Sequence, residues 1–242
     1  MRIFAFNFIL LFISACNYKL EVDLVKVPLE DLQIIQIKLV DSLGHVSITL
    51  PTRYDTSFYW TDYSDCGKPC NTIKYRSQSS SLPITKESGW IWLSEPKDSI
   101  ERFTVFHSGY FPFHNIDDSS FISKFHQHHK EQVLGNPDTY KINSDTLEKI
   151  HDKHFSIISI DLYDTTKKQF YKKLSGATII KGNIIYVDLE LLTKKEGEAT
   201  DNFIENSKYY LRTIKLNQTF SHVKAQQRSS AEERRDGSGS PQ

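Results

Sequence analysis

Apolar and polar positions alternate with a period of two along much of the chain, the mark of half-buried strands, and shift to a helical period in three places. Leu32 to Leu50 holds two apolar clusters on either side of Ser42-Leu43-Gly44. Ile34, Ile35, Ile37, Val40, Val46 and Ile48 are β-branched, so the spacing predicts two paired strands about that break. Leu20, Val22 and Leu24 alternate in the same way and predict an earlier strand. Further on, Phe58 and Trp60 alternate with Tyr59 and Thr61, and Ile73 and Tyr75 with Lys74 and Arg76. These two strands, Ser57 to Tyr63 and Asn71 to Gln78, are joined by Asp65-Cys66-Gly67-Lys68-Pro69-Cys70, which predicts a hairpin with a cysteine-flanked tip. Ser77 to Ser81 reads as a polar linker, and Trp90 to Leu93 and Phe103 to Phe106 as two more strands.

The first helical period runs from Ser119 to Leu134, where Ile122, Phe125, His129 and Val133 share a stripe. Asp118 or Ser119 suits its start and Gly135-Asn136-Pro137 its end. A second, short helix is predicted from Ser144 to about Asp152, placing Leu147, Ile150 and His151 together. Strands then return over Phe155 to Tyr163 and Gln169 to Ile180. Lys181-Gly182-Asn183 forms a turn into Ile184 to Leu192, where Ile185, Val187, Leu189 and Leu191 alternate with Tyr186, Asp188 and Glu190. Thr200 or Asp201 suits the cap of a third helix, with Phe203, Ile204, Ser207, Leu211 and Ile214 on one face. Strands followed by a covering helix predict an α+β fold, an antiparallel sheet with flanking helices and the C-terminal helix on the sheet. From Gln218 onward apolar residues nearly vanish, which predicts disorder.

The N-terminus follows neither period. Ile3 to Phe12 is apolar but for Asn7, too short to span a bilayer and suited to the core of a signal peptide. Ile13-Ser14-Ala15-Cys16 follows it and resembles the lipobox of bacterial lipoproteins, which implies lipidation of Cys16 and removal of residues 1–15. By the same resemblance, Asn17 favours an outer-membrane location in the cell envelope. Acyl chains contribute about 0.8 kcal/mol per buried CH₂, so such an anchor is close to permanent. The expected organisation is a signal peptide over 1–15, an anchor and tether over 16–30, one domain over 31–216 and a tail over 217–242. Within the domain, 31–115 is β-rich and 116–216 mixed.

The order strand, strand, Gly-Asn turn, strand, helix in Phe155 to Ile214 is similar to the C-terminal part of PsbP-like domains, in which a curved antiparallel sheet lies between helices. The resemblance implies a scaffold for protein binding and transfers no catalytic residue.

Charge narrows the partners. Lys and Arg number 30 against 30 Asp and Glu, and the loss of Arg2 with the leader leaves the balance near zero. A neutral chain lacks the electrostatic basis for nucleic-acid binding, so the expected partners are the membrane, through the N-terminal lipid, and an envelope protein. No cofactor is expected.

Three constellations carry candidate chemistry. Cys66 and Cys70 in an oxidising compartment suit a structural disulfide once Cys16 is taken by lipid. The alternative is a copper site, since Cys66 and Cys70 have the spacing of Sco-type chaperones and His151 or His154 would supply the distant ligand. His126 and His129 are three apart, as are His151 and His154, and could present imidazoles to a metal if both segments were helical. On apolar stripes, His129 and His151 equally suit the edge of a core. Finally, Tyr59 and Tyr63 alternate with core-directed aromatics and would form a recognition surface if they faced outward. No nucleophile elbow, phosphate-binding glycine loop or zinc-protease helix is present, so the expectation is a non-catalytic binding or assembly module.

Overall fold

The computed structural model describes residues 28–40, 43–67, 70–84, 99–108, 118–135 and 142–217. The Ile13-Ser14-Ala15-Cys16 motif, the strands expected at Leu20 to Leu24 and Trp90 to Leu93, and the tail expected from Gln218 lie outside them. Among the described residues no helix is long and apolar enough to cross a membrane.

The fold is α+β. Strands β1 (Leu32–Leu39) and β2 (Gly44–Pro51) form the expected hairpin, with Ile35 opposite Ile48. They belong to a small antiparallel sheet in the order β1-β2-β10, completed near the end of the chain by β10 (Lys215–Asn217). The large sheet has seven antiparallel strands. Three form one meander: β3 (Thr56–Asp62), β4 (Thr72–Gln78) and β5 (Ser99–Ser108). Four form another: β6 (Ile142–Ile150), β7 (Lys153–Asp164), β8 (Gln169–Ile180) and β9 (Asn183–Thr193). The two meanders join where β5 pairs with β9, giving the order β3-β4-β5-β9-β8-β7-β6.

Helix α1 (Asp118–Leu134) connects β5 to β6 and crosses one face of the sheet over β7 and β8. Its stripe is as the period predicts, with Ile122, Phe125 and His129 buried. Gly135, at φ 56, donates its N–H to the carbonyl of Glu131 and ends the helix. On the opposite face lie the one-turn helix α2 (Glu198–Asp201), helix α3 (Phe203–Arg212) and the small sheet. One apolar cluster joins these layers, including Leu39, Val46, Ile48, Phe103, Val105, Val187, Leu189 and Leu211. At Gly176 a Cβ would stand 3.1 Å from a Leu211 methyl, so glycine lets α3 approach β8 closely.

Two local expectations are corrected. The helix expected at Ser144 to Asp152 is strand β6, paired with β7. The segment supports either reading, because Leu147 and Ile150 are helically spaced while Ile142, Ser144, Thr146, Glu148 and Ile150 alternate. The free edge of β7 settles the choice through ladder hydrogen bonds, and Leu147 is left half-exposed. Neither Thr200 nor Asp201 caps the last helix. Thr200 lies inside α2 and its hydroxyl donates to the carbonyl of Lys195, while Asn202 precedes α3 without a side-chain capping bond.

Candidate functional site

The hairpin β3–β4 forms one edge of the large sheet, and its tip is built as the cysteine spacing suggests. Cys66 and Cys70 stand at disulfide distance with Cα atoms 5.8 Å apart, within the ordinary range for a bridge. The N–H of Gly67 donates to the carbonyl of Ser64, and the N–H of Cys70 to that of Gly67. Asn71 accepts from the N–H of Ser64 at 2.9 Å and ties the two arms together. On the α1 side of the hairpin, Trp60 is buried beneath the Arg76 guanidinium, 4.8 Å from its ring centroid, and donates its indole N–H to Asp62. On the other side Tyr59 stacks on Tyr75 and is 66% exposed; past the strand end Tyr63 is 85% exposed. Both tyrosines therefore face water, one on an outermost strand and one just beyond it.

The histidine sets separate. His151 and His154 occupy the β6–β7 turn, with His151 at φ 53, and do not share a helical face. Strands β5, β9 and β8 lie between that turn and the cysteine hairpin, so the copper set of Cys66, Cys70 and either histidine is not assembled. Among the described residues no three His, Cys, Asp or Glu side chains converge as metal ligands would. His126 and His129 do share a face of α1, but both point to a hydroxyl. Their Nδ1 atoms each lie 2.7 Å from Ser156 Oγ on β7.

From there a polar chain continues under the helix. His129 Nε2 lies 3.0 Å from Ser175 Oγ, which donates to Asp188 Oδ1 at 2.6 Å. Lys173 Nζ is 2.7 Å from Asp188 Oδ2, and Arg102 Nε donates to Glu190 at 2.6 Å. Burial acts to raise the Glu190 carboxyl, but Lys173 and Arg102 outweigh it and hold the group at about 2. Burial alone would lower the Lys173 ammonium; Asp188 and Glu190 reverse this and hold it above the ordinary lysine range. Asp188 is raised by its burial, with Lys173 opposing. His129 is pushed down to about 3 by burial, aided by Lys173. Sequence reasoning missed these partners because the polar half of the β8 and β9 alternation resembles a solvated face. Their register, Ser175 opposite Asp188 and Lys173 opposite Glu190, is the signal that brings them together.

A groove of about 940 Å³ opens beside α2 and α3, lined in part by Leu29, Glu30, Arg53, Glu101, Phe203 and Tyr210. Its ions serve each other. Arg53 forms a fork on Glu101 and also pairs with Glu30, which accepts from Tyr210, while Tyr54 donates to Glu101 at 2.9 Å. This cluster holds residues 28–30 against the body.

No family model matches the chain, and no curated protein matches it significantly. Among solved structures it is similar to the cyanobacterial PsbP of Synechocystis sp. PCC 6803, at 7% identity and TM-score 0.42, covering 79% of this chain and 96% of that one. It is also similar to LpqN, a protein involved in cell envelope biogenesis of Mycobacterium tuberculosis, at 10% identity and TM-score 0.34, covering 76% and 91%. A third is PA94 of Pseudomonas aeruginosa, a putative regulator of unknown function, at 8% identity and TM-score 0.31, covering 78% and 96%. With TM-scores below 0.5, these likenesses assign neither a family nor a role.

Proposed function

We propose that this chain is a lipid-anchored, non-catalytic protein of the cell envelope, tethered through Cys16 at the outer membrane, that binds another envelope protein along strand β3 and its tip. The exposure of Tyr59 on an outermost strand and of Tyr63 just past its end carries the reading. Tyrosine offers a large rigid apolar face with a polar end, and it is enriched where proteins meet. An outermost strand also presents backbone N–H and C=O groups that an extended partner segment can pair with. The Cys66–Cys70 bridge serves as a staple for the tip, with no redox turnover. The Ile13-Ser14-Ala15-Cys16 motif supports the anchor, since only the Cys16 thiol there can accept a diacylglycerol.

Site-specific photocrosslinking in cells tests the binding surface. A photoreactive phenylalanine at Tyr63 is expected to give one discrete adduct, lost when Tyr59 is changed to Asp, while the same probe at exposed Lys167 gives none. Equal adducts at both positions, or none at Tyr63, would refute the surface. Labelled-lipid incorporation tests the anchor separately: Cys16→Ala is expected to abolish it, and undiminished labelling would remove the lipoprotein reading.

A further inference from the structure

Hydrogen positions in the chain beneath α1 follow from counting donors. The single proton of the Ser175 hydroxyl goes to Asp188, so its contact with His129 is one in which His129 Nε2–H donates. A neutral imidazole carries one N–H, which makes His129 Nδ1 an acceptor. Ser156 O–H must then donate to His129, and His126 Nδ1–H must donate to Ser156. All donors point the same way, from His126 at the edge of the helix to Asp188 within the sheet. His126 Nε2 is left bare, 4.0 Å from Asp145 Oδ2 on β6.

We propose that helix α1 is an acid-released cover, with protonation of His129 as the trigger that breaks this chain and frees the helix from the sheet. The two histidines differ in what a proton does to them. A proton on His126 adds an N–H at Nε2, beside Asp145, and leaves its Nδ1–H bond to Ser156 intact; partial burial lowers this ring, with Asp145 acting against the shift. A proton on His129 must go on Nδ1, where Ser156 already donates. Ser156 Oγ would then accept from His129, and its own proton could turn only to His126 Nδ1, forcing that ring to carry its N–H on Nε2; the imidazolium itself would sit fully buried without a free carboxylate partner.

The surroundings offer the new charge little. Lys173 on β8 and the neighbouring rings of His126 and His128 on α1 all act to lower His129, and Arg102 on β5 is engaged by Glu190. Asp188 on β9 is already claimed by Lys173 and Ser175, Asp145 on β6 by Lys130, and Tyr186 on β9 donates its hydroxyl to Gln132. Docking otherwise rests on an apolar cluster, Ile122 and Phe125 against Ala177 and Ile179 with Phe121, Ile184 and Tyr186 at its edge, and on the Tyr186–Gln132 and Lys130–Asp145 contacts.

The sign follows from linkage. The docked state holds His129 at about 3, against 6.5 when free, so it binds fewer protons and is fully favoured above pH 6.5. Below that, docking weakens about tenfold per pH unit, approximately 100-fold by pH 4.5.

Hydrogen exchange tests this on the full chain. Corrected for intrinsic rates, α1 amides are expected to lose about 100-fold protection between pH 7 and pH 4.5, while Val187 and Leu189 in the central strand keep theirs. His129→Gln, which donates and accepts without titrating, is expected to keep α1 protected at pH 4.5, and His126→Gln to open as the parent does. Loss of protection across the whole sheet together with α1, or equal opening in His129→Gln, would overturn the proposal. Should His129→Gln fail to fold, imidazole nitrogen shifts of the parent decide. At pH 7 His129 is expected as the Nε2–H form, and His129 titrating near 6.5 with α1 still protected would overturn the trigger.

Discussion

The two faces of the large sheet are buried by different means. On the α3 face Phe103, Val105, Val187 and Leu189 meet apolar neighbours from the small sheet and the helix. On the α1 face, at the adjacent positions, Arg102 pairs with Glu190, Lys173 and Ser175 with Asp188, and Arg76 donates to Thr104. The same strands supply both sets by alternation. Apolar burial is tolerant of orientation, whereas a buried charge is stable only while its specific partner stays in place. One face therefore supplies adhesion, and the other makes docking conditional.

Single substitutions should expose that difference. Asp188→Ala removes the nearer of the two carboxylates paired with buried Lys173, leaving Glu190 at 3.6 Å, and is expected to cost about 3 kcal/mol in urea unfolding. Leu189→Ala on the opposite face should cost a comparable 2 to 5 kcal/mol, roughly, through cavity and transfer terms. The comparison is sharpened by rescue: Lys173→Met combined with Asp188→Leu should recover much of the first loss. If the double variant is as unstable as Asp188→Ala, the α1 face is not governed by pairing. Next in size, Gly176→Ala pushes a methyl against Leu211 and should cost about 1 to 3 kcal/mol, read as a lower urea midpoint with unchanged slope.

Away from both faces, effects shrink. Changing Cys66 and Cys70 together to Ser should cost about 2 kcal/mol on the chain-entropy relation for so short a loop, and the folded parent should show no free thiol in titration. Tyr59→Ala or Tyr63→Ala should move stability by no more than about 0.5 kcal/mol, since neither side chain belongs to the core. A larger loss on thermal unfolding would show that these tyrosines support the fold.

What could be read from sequence was whatever the chain states locally. β8, the Lys181-Gly182 turn, β9 and the buried side of α3 lie where period and turn chemistry place them, as do α1 and the β1–β2 hairpin. Strand β6 was ambiguous because its own residues support two periods and a neighbour decides. The junction of β5 with β9 has no local sign, since Phe103 meets Leu189 across the whole intervening stretch of chain. The Ser175–Asp188 and Lys173–Glu190 pairs depend on cross-strand register, so the histidines could be singled out but their partners could not. Exposure of Tyr59 likewise depends on β3 being outermost, a property of the assembled sheet.

The last strand, β10, closes the small sheet by lying against β2, and Thr213 accepts the N–H of Thr49 from 164 residues away. Closing so long a loop is slow, and the contacts that repay its entropy come only afterwards. A growing chain thus cannot seal its core until nearly all of the described body has been made. Until then the chain remains open to unfolding. Nascent chains stalled before Thr213 should accordingly remain sensitive to protease, and chains extended past Asn217 should become resistant.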